Sequence, residues 1–141
     1  MTQRLNLQKA DPYAFQAILN IENYLATCAI PPELKSLIKL RASIINNCSF
    51  CFNMHQVEAK KTSLTNEQLT DLANWKTSLL FNDEQRAVLA LTDAITLIRD
   101  GVSSDVYQTA LDYLTEPLLA QCITQINLIN MWNRIAITTR M

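Results

Sequence analysis

The stretch NCSFCFNMH, residues 47–55, holds two of the four cysteines and the only histidine of the 141-residue chain. If the segment from about residue 49 onward is helical, at about 100° per residue, Cys48, Cys51 and His55 fall within an arc of about 60° on one face. The N-terminus of a helix favours a thiolate over a thiol, because its unpaired N–H groups and positive partial charge stabilise the anion. A histidine one turn later can exchange a proton with the sulfur near neutral pH. The stretch therefore predicts a helix-borne dithiol with redox chemistry.

Three other interpretations of the same residues stay open. The cysteines could be small, buried apolar residues. With His55 they could be three ligands of a zinc ion, whose fourth ligand would have to come from the distant Cys28 or Cys122. They could form a structural disulfide, although a pair three residues apart closes too small a loop to remove much entropy from the unfolded chain. We favour the redox interpretation and expect no bound metal.

The residues around the dithiol extend the pattern. The segment LRASIINNCSFCFNMH at 40–55 resembles the core signature of the AhpD-like alkylhydroperoxidase branch of the carboxymuconolactone decarboxylase superfamily. Trp75, the run FNDEQRAVLALTDAIT at 81–96 and the run NMWNR at 130–134 resemble the short single-domain members of that superfamily. The resemblance covers residues 30 to 138 or so and implies one AhpD-like domain over residues 1–141.

The resemblance also implies a role for each residue of the motif. Cys51 would attack a peroxide and become a sulfenic acid, and Cys48 would supply a proton and then resolve the sulfenic acid to a disulfide. His55 would relay the proton. The substrate would be a small-molecule hydroperoxide, and an external dithiol would reduce the disulfide.

One position departs from the family pattern. Peroxidase members place a glutamate twelve residues before the first motif cysteine, and here that position is Ser36. A serine cannot act as a carboxylate base. Either another acid, such as Glu33, Glu84 or Asp93, reaches the site as the relay residue, or the peroxidase activity is weak.

The composition predicts an all-α domain. The chain is 49% hydrophobic and has a single glycine, Gly101, while its four prolines stand where they suit helix starts. Its length is typical of one compact domain. With one glycine, the sequence has no glycine-rich nucleotide or phosphate loop, and no flavin or haem motif is present, so we expect no cofactor.

The charge and the apolar runs bear on partners and compartment. A formal net charge of −1 offers no basic field for a phosphate backbone, so we expect no nucleic-acid partner. The longest uncharged run, residues 117–133, includes the polar side chains of Gln121, Thr124, Gln125, Asn127 and Asn130, which indicates a buried or subunit-facing helix and no membrane span. Four cysteines without a signal-like N-terminus suggest the reducing cytoplasm.

Capping residues and apolar periodicity place six to seven helices along the chain. Asp11 is the predicted N-cap of the first helix, and Thr65 with Gln68 and Asn82 with Gln85 are predicted capping boxes. The predicted helices span about residues 12–27, 32–46, 49–61, 65–75, 82–100, 103–114 and 115–138.

Several side chains on these helices have expected environments. On the second helix, Lys35, Lys39 and Arg41 are expected to face away from the buried side. Phe50, Phe52 and Met54 are expected in the core, with the alternative that one ring lines an apolar mouth for an organic hydroperoxide. Asp93 is expected to be solvated or to cap a helix, with the alternative that it reaches the thiols.

We therefore expect an AhpD-like helical bundle that reduces hydroperoxides or exchanges disulfides. The last helix carries more uncharged surface than one small domain needs to cover, which favours a homo-oligomer, and the resemblance implies a trimer or hexamer. The alternatives are a non-catalytic helical oligomer or redox-sensing module of the same fold, and a carboxymuconolactone-type decarboxylase. A decarboxylase that only transfers protons has no need for two neighbouring thiols.

Overall fold

The computed structural model describes residues 2–141, and over that range the chain is helical with no β-strand. The predicted all-α fold class is confirmed. The helices are α1 (Leu7–Ala10), α2 (Pro12–Ala26), α3 (Pro32–Ile45), α4 (Ser49–Ala59), α5 (Asn66–Asp71), α6 (Asp83–Thr96), α7 (Ser104–Tyr113) and α8 (Glu116–Thr139), with 3₁₀ segments at Leu72–Thr77 and Ile98–Asp100.

Side-chain caps fix most of the helix starts where the sequence predicts them. Asp11 accepts a hydrogen bond from the Ala14 N–H at 3.0 Å, and Pro12 occupies the first turn of α2. Both predicted capping boxes form, one before α5 and one before α6. These local signals act over three or four residues, which is why the sequence alone is sufficient to place them.

The number of helices exceeds the predicted six to seven because of one short element. Helix α1 has only four residues and none of them is buried, so no apolar periodicity marks it. The predicted helix over 65–75 is also divided, because Asn74 has non-helical dihedral angles and residues 72–77 are 3₁₀.

Helix α3 is the centre of the fold and packs against α4, α6 and α8. Leu34, Leu37, Ile38 and Leu40 are almost fully buried, as expected for a helix that has neighbours on several sides. The expectation that Lys39 and Arg41 face away from the buried side is wrong. Lys39 is only 8% exposed, and Arg41 is half-buried. A helix surrounded in this way must supply partners for its cations inside the protein.

Helix α8 runs along the bundle and buries Leu119, Cys122, Ile126 and Ile129 in the core. It also buries Gln125, Asn130 and Asn133, which explains why the uncharged run is not uniformly apolar. Across residues 2–141, none of the helices combines the length and apolar character that crossing a membrane requires.

Candidate functional site

The dithiol motif begins at a sharp break between α3 and α4. Asn47 adopts a left-handed conformation with φ of 53°, which asparagine tolerates better than most residues. The neighbouring Asn46 is anchored to α8, because its side-chain amide donates to the Oδ1 atoms of Asn130 and Asn133, both at 2.9 Å. Asn133 in turn donates to Ser43 Oγ at 3.1 Å. These buried amides fix the turn that delivers the chain to Cys48.

Cys48 and Cys51 form a disulfide at the start of α4, with their Cα atoms 5.3 Å apart. Cys48 is the N-cap residue, and its sulfur accepts a hydrogen bond from the Cys51 N–H at 3.4 Å. Both residues are buried and form a small apolar cluster with Ala136 of α8. The helix N-terminus therefore offers a hydrogen-bond donor to the Cys48 sulfur, as the motif predicts.

Cys51 and His55 line one cavity of about 330 Å³, called the thiol cavity here. Its apolar wall comes from α2, α4 and α8, and its polar wall is made by Glu22, Lys39 and Glu58. The main apolar side chains around it are Phe15, Leu19, Phe50, Met54 and Trp132. The cavity can therefore hold an apolar group beside a sulfur and an imidazole.

Cys48 does not line the thiol cavity. It lines a separate opening of about 330 Å³, called the Cys48 recess here, which is formed by Ser43, Ile44, Asn47, Cys48, Ser49, Phe52 and Asn53. The sequence places all three reactive side chains on one helix face, whereas in the structure the two sulfurs meet different openings. The difference arises because Cys48 is the N-cap and its backbone is not helical.

The aromatic and Met side chains of α4 divide between core and cavity. Phe52 is half-buried and packs on the main core, as expected. For Phe50 and Met54 the expectation of core packing is wrong, because they are 44% and 47% exposed and line the thiol cavity. The apolar mouth considered as the alternative therefore exists.

His55 is buried, with 8% of its surface exposed, and its Nδ1 atom has no hydrogen-bond partner among residues 2–141. Burial lowers the pKa of His55, and the nearby Lys39 ammonium lowers this pKa further, while Glu58 acts in the opposite direction. The imidazole is therefore neutral at pH 7. A neutral imidazole can accept a proton.

The acid beside His55 is Glu58, with His55 Nδ1 and Glu58 Oε2 3.6 Å apart. Lys39 Nζ lies 3.6 Å from the same Glu58 oxygen and 3.8 Å from Glu22 Oε1. Glu22 also accepts a hydrogen bond from Trp132 Nε1 at 3.0 Å. Two carboxylates, one ammonium and one imidazole thus share the polar wall of the thiol cavity, at distances longer than hydrogen bonds.

None of the four predicted relay positions reaches this wall. Ser36 lines a different cavity of about 550 Å³, which shares Lys39 and Glu58 with the thiol cavity. Glu33 lies in the first turn of α3 and lines neither cavity. Glu84 lies near Cys122, where burial and, secondarily, the Glu84 charge raise the pKa of that thiol to about 12.

Asp93 belongs to a buried ion pair, so both of its expected environments are wrong. Its two oxygens accept hydrogen bonds from Arg41 Nε at 2.7 Å and Nη2 at 3.2 Å, and Trp75 Nε1 donates to Oδ2 at 3.1 Å. Arg41 also donates to the Ala73 carbonyl at 3.0 Å. A carboxylate with so many donors is held in place and is not available as a base.

Sequence reasoning missed Glu22, Lys39 and Glu58. Glu58 had a usable signal, because it lies three residues after His55 on the same helix and such pairs face each other. Glu22 and Lys39 come from α2 and α3, and no local spacing brings them to the motif.

As for the zinc interpretation, residues 2–141 contain no group of three or more His, Cys, Asp or Glu side chains arranged to hold a metal ion.

The sequence matches a known protein family and a relative of similar length. Residues 12–94 match the model of the carboxymuconolactone decarboxylase family. The uncharacterised protein YdfG of Bacillus subtilis is 31% identical over 138 residues, which cover 97% of this chain and 94% of YdfG.

Solved structures resemble the whole fold. A crystal structure of a protein from Agrobacterium tumefaciens superposes with a TM-score of 0.94 at 34% identity, and the match covers 99% of this chain and 96% of that chain. That protein has no known function, and the suggestion has been made that it is the antioxidant defence protein AhpD. An uncharacterized peroxidase-related protein from Silicibacter sp. TM1040 has a TM-score of 0.80 at 18% identity, with 96% of this chain and 79% of that chain covered. At that identity the second likeness concerns the fold alone.

Proposed function

The chain belongs to the carboxymuconolactone decarboxylase family, and from this premise we propose that it is a thiol-dependent peroxidase that reduces organic hydroperoxides with the Cys48–Cys51 dithiol. The observation that carries the proposal is the shared cavity of Cys51 and His55. A sulfur that must ionise and a neutral base that can take its proton lie on the same wall. The decarboxylase alternative leaves the dithiol without a use.

The apolar wall of the thiol cavity supports an organic substrate. Phe50, Met54 and Trp132 can cover the hydrocarbon part of a hydroperoxide, while its O–O group meets Cys51. Hydrogen peroxide has no apolar part and gains nothing from these side chains. We therefore expect bulky organic hydroperoxides to react faster than hydrogen peroxide.

The proposed cycle starts from the reduced dithiol. His55 accepts the proton of Cys51, and the thiolate attacks the terminal oxygen of the hydroperoxide. The O–O bond breaks, the alkoxide takes the proton held on His55 and leaves as an alcohol, and Cys51 becomes a sulfenic acid. Cys48 then attacks the Cys51 sulfur, which releases water and forms the disulfide. Two thiols and one hydroperoxide thus yield one disulfide, one alcohol and one water.

The polar wall replaces the glutamate relay that Ser36 does not supply. Glu58 lies beside His55 Nδ1 and can orient the imidazole and stabilise its protonated form during the reaction. Lys39 Nζ lies 3.6 Å from Glu58 and 3.8 Å from Glu22, so its ammonium attracts both carboxylates toward the ring. His55 returns to its neutral form when the alcohol leaves.

A single-turnover experiment tests the proposal. The fully reduced protein is mixed with cumene hydroperoxide, and the thiols consumed and the alcohol formed are measured together. We expect one alcohol for each Cys48–Cys51 pair that is oxidised, and none with the C51S variant. The matched control is C28S, which alters a thiol outside the motif and leaves the stoichiometry unchanged.

Two outcomes would contradict the proposal. The peroxidase activity is excluded if the motif thiols survive excess hydroperoxide, or if C51S still forms alcohol at the rate of the unaltered protein. If the thiols are oxidised by oxidised glutathione but not by hydroperoxide, disulfide exchange or redox sensing becomes the better assignment.

We also propose that the single domain assembles with copies of itself. Phe50, Met54 and Val57 are 44%, 47% and 60% exposed and lie at helical spacing on one face of α4, so this helix presents an apolar strip that a second copy can cover. The molar mass measured by light scattering tests this, and a mass equal to that of one chain would contradict it.

A further inference from the structure

We infer that the dithiol reductant reopens the disulfide at Cys48, through the Cys48 recess, while the hydroperoxide enters by the thiol cavity on the other side of the same bond. The inference extends the proposed function by assigning the two half-reactions to two separate openings. It rests on which cysteine lines which opening, since Cys51 lines the thiol cavity and not the recess, whereas Cys48 lines the recess and not the thiol cavity.

The direction of attack follows from the chemistry of thiol–disulfide exchange. A thiolate attacks a disulfide sulfur in line with the bond that breaks, from the side opposite to the departing sulfur. Attack on Cys48 with departure of Cys51 must therefore come from the Cys48 side, where the recess is. Attack on Cys51 would need the reductant inside the thiol cavity, in the space of the hydroperoxide.

The charges of the two openings also favour entry of the reductant through the recess. The recess has no charged side chain among its lining residues, and its rim includes the exposed polar residues Asn47, Ser49 and Asn53. Such a rim does not repel an incoming thiolate, and its amides can hydrogen-bond to a dithiol carrier. The thiol cavity instead carries the carboxylates of Glu22 and Glu58 with one ammonium, Lys39, between them, and this net negative charge opposes an incoming thiolate.

The exchange balances in two steps. The thiolate of the reductant bonds to the Cys48 sulfur, the Cys48–Cys51 bond breaks, and its electron pair leaves on Cys51, which takes up the proton given up by the reductant. The second thiol of the reductant then attacks the reductant sulfur of the mixed disulfide, the bond to Cys48 breaks, and the Cys48 thiolate takes up the proton given up by that second thiol. The departing Cys48 thiolate is stabilised by the Cys51 N–H, which already donates to this sulfur at 3.4 Å. The protein gains two thiols, and the reductant becomes a disulfide.

Neighbouring positions on α4 provide matched variants. Asn53 is exposed at the rim of the recess, and Met54 is exposed at the mouth of the thiol cavity. We expect N53W to slow reduction of the disulfide by dithiothreitol about tenfold by excluding the reductant, with little effect on oxidation of the reduced protein by cumene hydroperoxide. We expect M54W to slow the oxidation and not the reduction. Stopped-flow tryptophan fluorescence or thiol quenching follows both steps.

The inference is overturned if M54W slows reduction by dithiothreitol as much as N53W does, or if N53W leaves reduction unchanged. The reduction assay contains no hydroperoxide, so its result is independent of whether the protein is a peroxidase. If the reduced protein fails to react with hydroperoxide while reduction shows the expected asymmetry, only the proposed function fails.

A second measurement avoids the added bulk. In a C28S background, C51S leaves Cys48 as the reactive thiol and C48S leaves Cys51, while Cys122 stays unreactive because burial raises its pKa to about 12. For each thiol we divide the labelling rate of the dianion 5,5′-dithiobis(2-nitrobenzoate) by that of the neutral 2,2′-dithiodipyridine, which cancels the intrinsic reactivity of the thiol. We expect this ratio to be roughly tenfold higher for Cys48 than for Cys51, because the carboxylates of the thiol cavity repel the dianion. An equal ratio, or a higher ratio for Cys51, would contradict a separate entrance at Cys48.

Discussion

Two of the three cations on helix α3, Lys39 and Arg41, have very different surroundings. Arg41 forms a close two-pronged pair with Asp93, and Trp75 adds a third donor to the same carboxylate. Lys39 lies between Glu22 and Glu58 at 3.8 and 3.6 Å, and the neighbouring His55 Nδ1 has no hydrogen-bond partner. The two residues are two positions apart on a helix, so they point to different sides.

The difference separates a structural site from a site with spare bonding capacity. The Asp93 carboxylate has its donors in place, so changing its charge or position costs free energy of folding. Around Lys39 the groups are close but incompletely bonded, so a proton can move there without breaking a short hydrogen bond. We therefore expect Asp93 to contribute to stability and Glu58 to the proposed chemistry, and the following experiments test that expectation.

The largest effect is expected at His55. Replacing it with asparagine removes the proton acceptor, and the rate constant for oxidation by hydroperoxide should fall roughly 10²–10⁴-fold. Unfolding by urea should show little loss of stability, because the ring has no hydrogen bond at Nδ1 to lose. A large loss of stability with an unchanged oxidation rate would show that His55 has a structural role and not a catalytic one.

Asp93 should show the opposite pattern. The D93N variant leaves the Arg41 guanidinium without its counter-charge in a mostly buried position, and the free energy of unfolding should fall by about 3 kcal/mol. The rate of thiol oxidation at a temperature where the variant is folded should not change. The control is D112N on α7, where an exposed carboxylate accepts only from Gln108 and the stability should be unaltered.

The two tryptophans provide a symmetric pair of smaller changes, since each donates its ring N–H to one of the two sites. W75F removes a donor from Asp93 in a buried position and should cost about 1–2 kcal/mol of stability. W132F removes a donor from Glu22, whose side chain is 35% exposed, and should cost less than about 1 kcal/mol. Equal losses in urea unfolding would show that both carboxylates are structural.

The smallest effect is a shift in the titration of His55. Because burial and Lys39 lower its pKa, the K39Q variant should raise it toward the ordinary value. As the only histidine, His55 gives one imidazole signal, which NMR can follow with pH. The folded pKa lies below the unfolded one, so this group stabilises the fold above pH about 6.5 and that contribution decreases as the pH falls. A lower pKa in K39Q would refute the electrostatic role of Lys39.

Local features of the chain were predictable, and long-range ones were not. The N-cap at Asp11, the two capping boxes and the left-handed Asn47 follow from signals within a few residues. Glu22 and Lys39 meet because α2 packs on α8 while α3 packs on α4 and α8, and the spacing of residues within one helix does not predict such packing.

The ion pair of Asp93 and Arg41 could not be predicted from local sequence either. They are 52 residues apart, and each is a common surface residue when considered alone. Their pairing depends on the angle at which α6 crosses α3, which the periodicity of either helix does not specify. The family resemblance could supply roles for the motif but not the position of Glu58 beside His55.

The amide contacts of Asn46 with Asn130 and Asn133 have one more consequence. They hold the turn before Cys48 through groups that do not depend on the oxidation state of sulfur, so the two cysteines stay within bonding distance when reduced. In the proposed cycle the sulfenic acid then meets its neighbouring thiol sooner than a second oxidant molecule. The chain would thereby escape irreversible conversion to the sulfinic acid during heavy oxidant exposure.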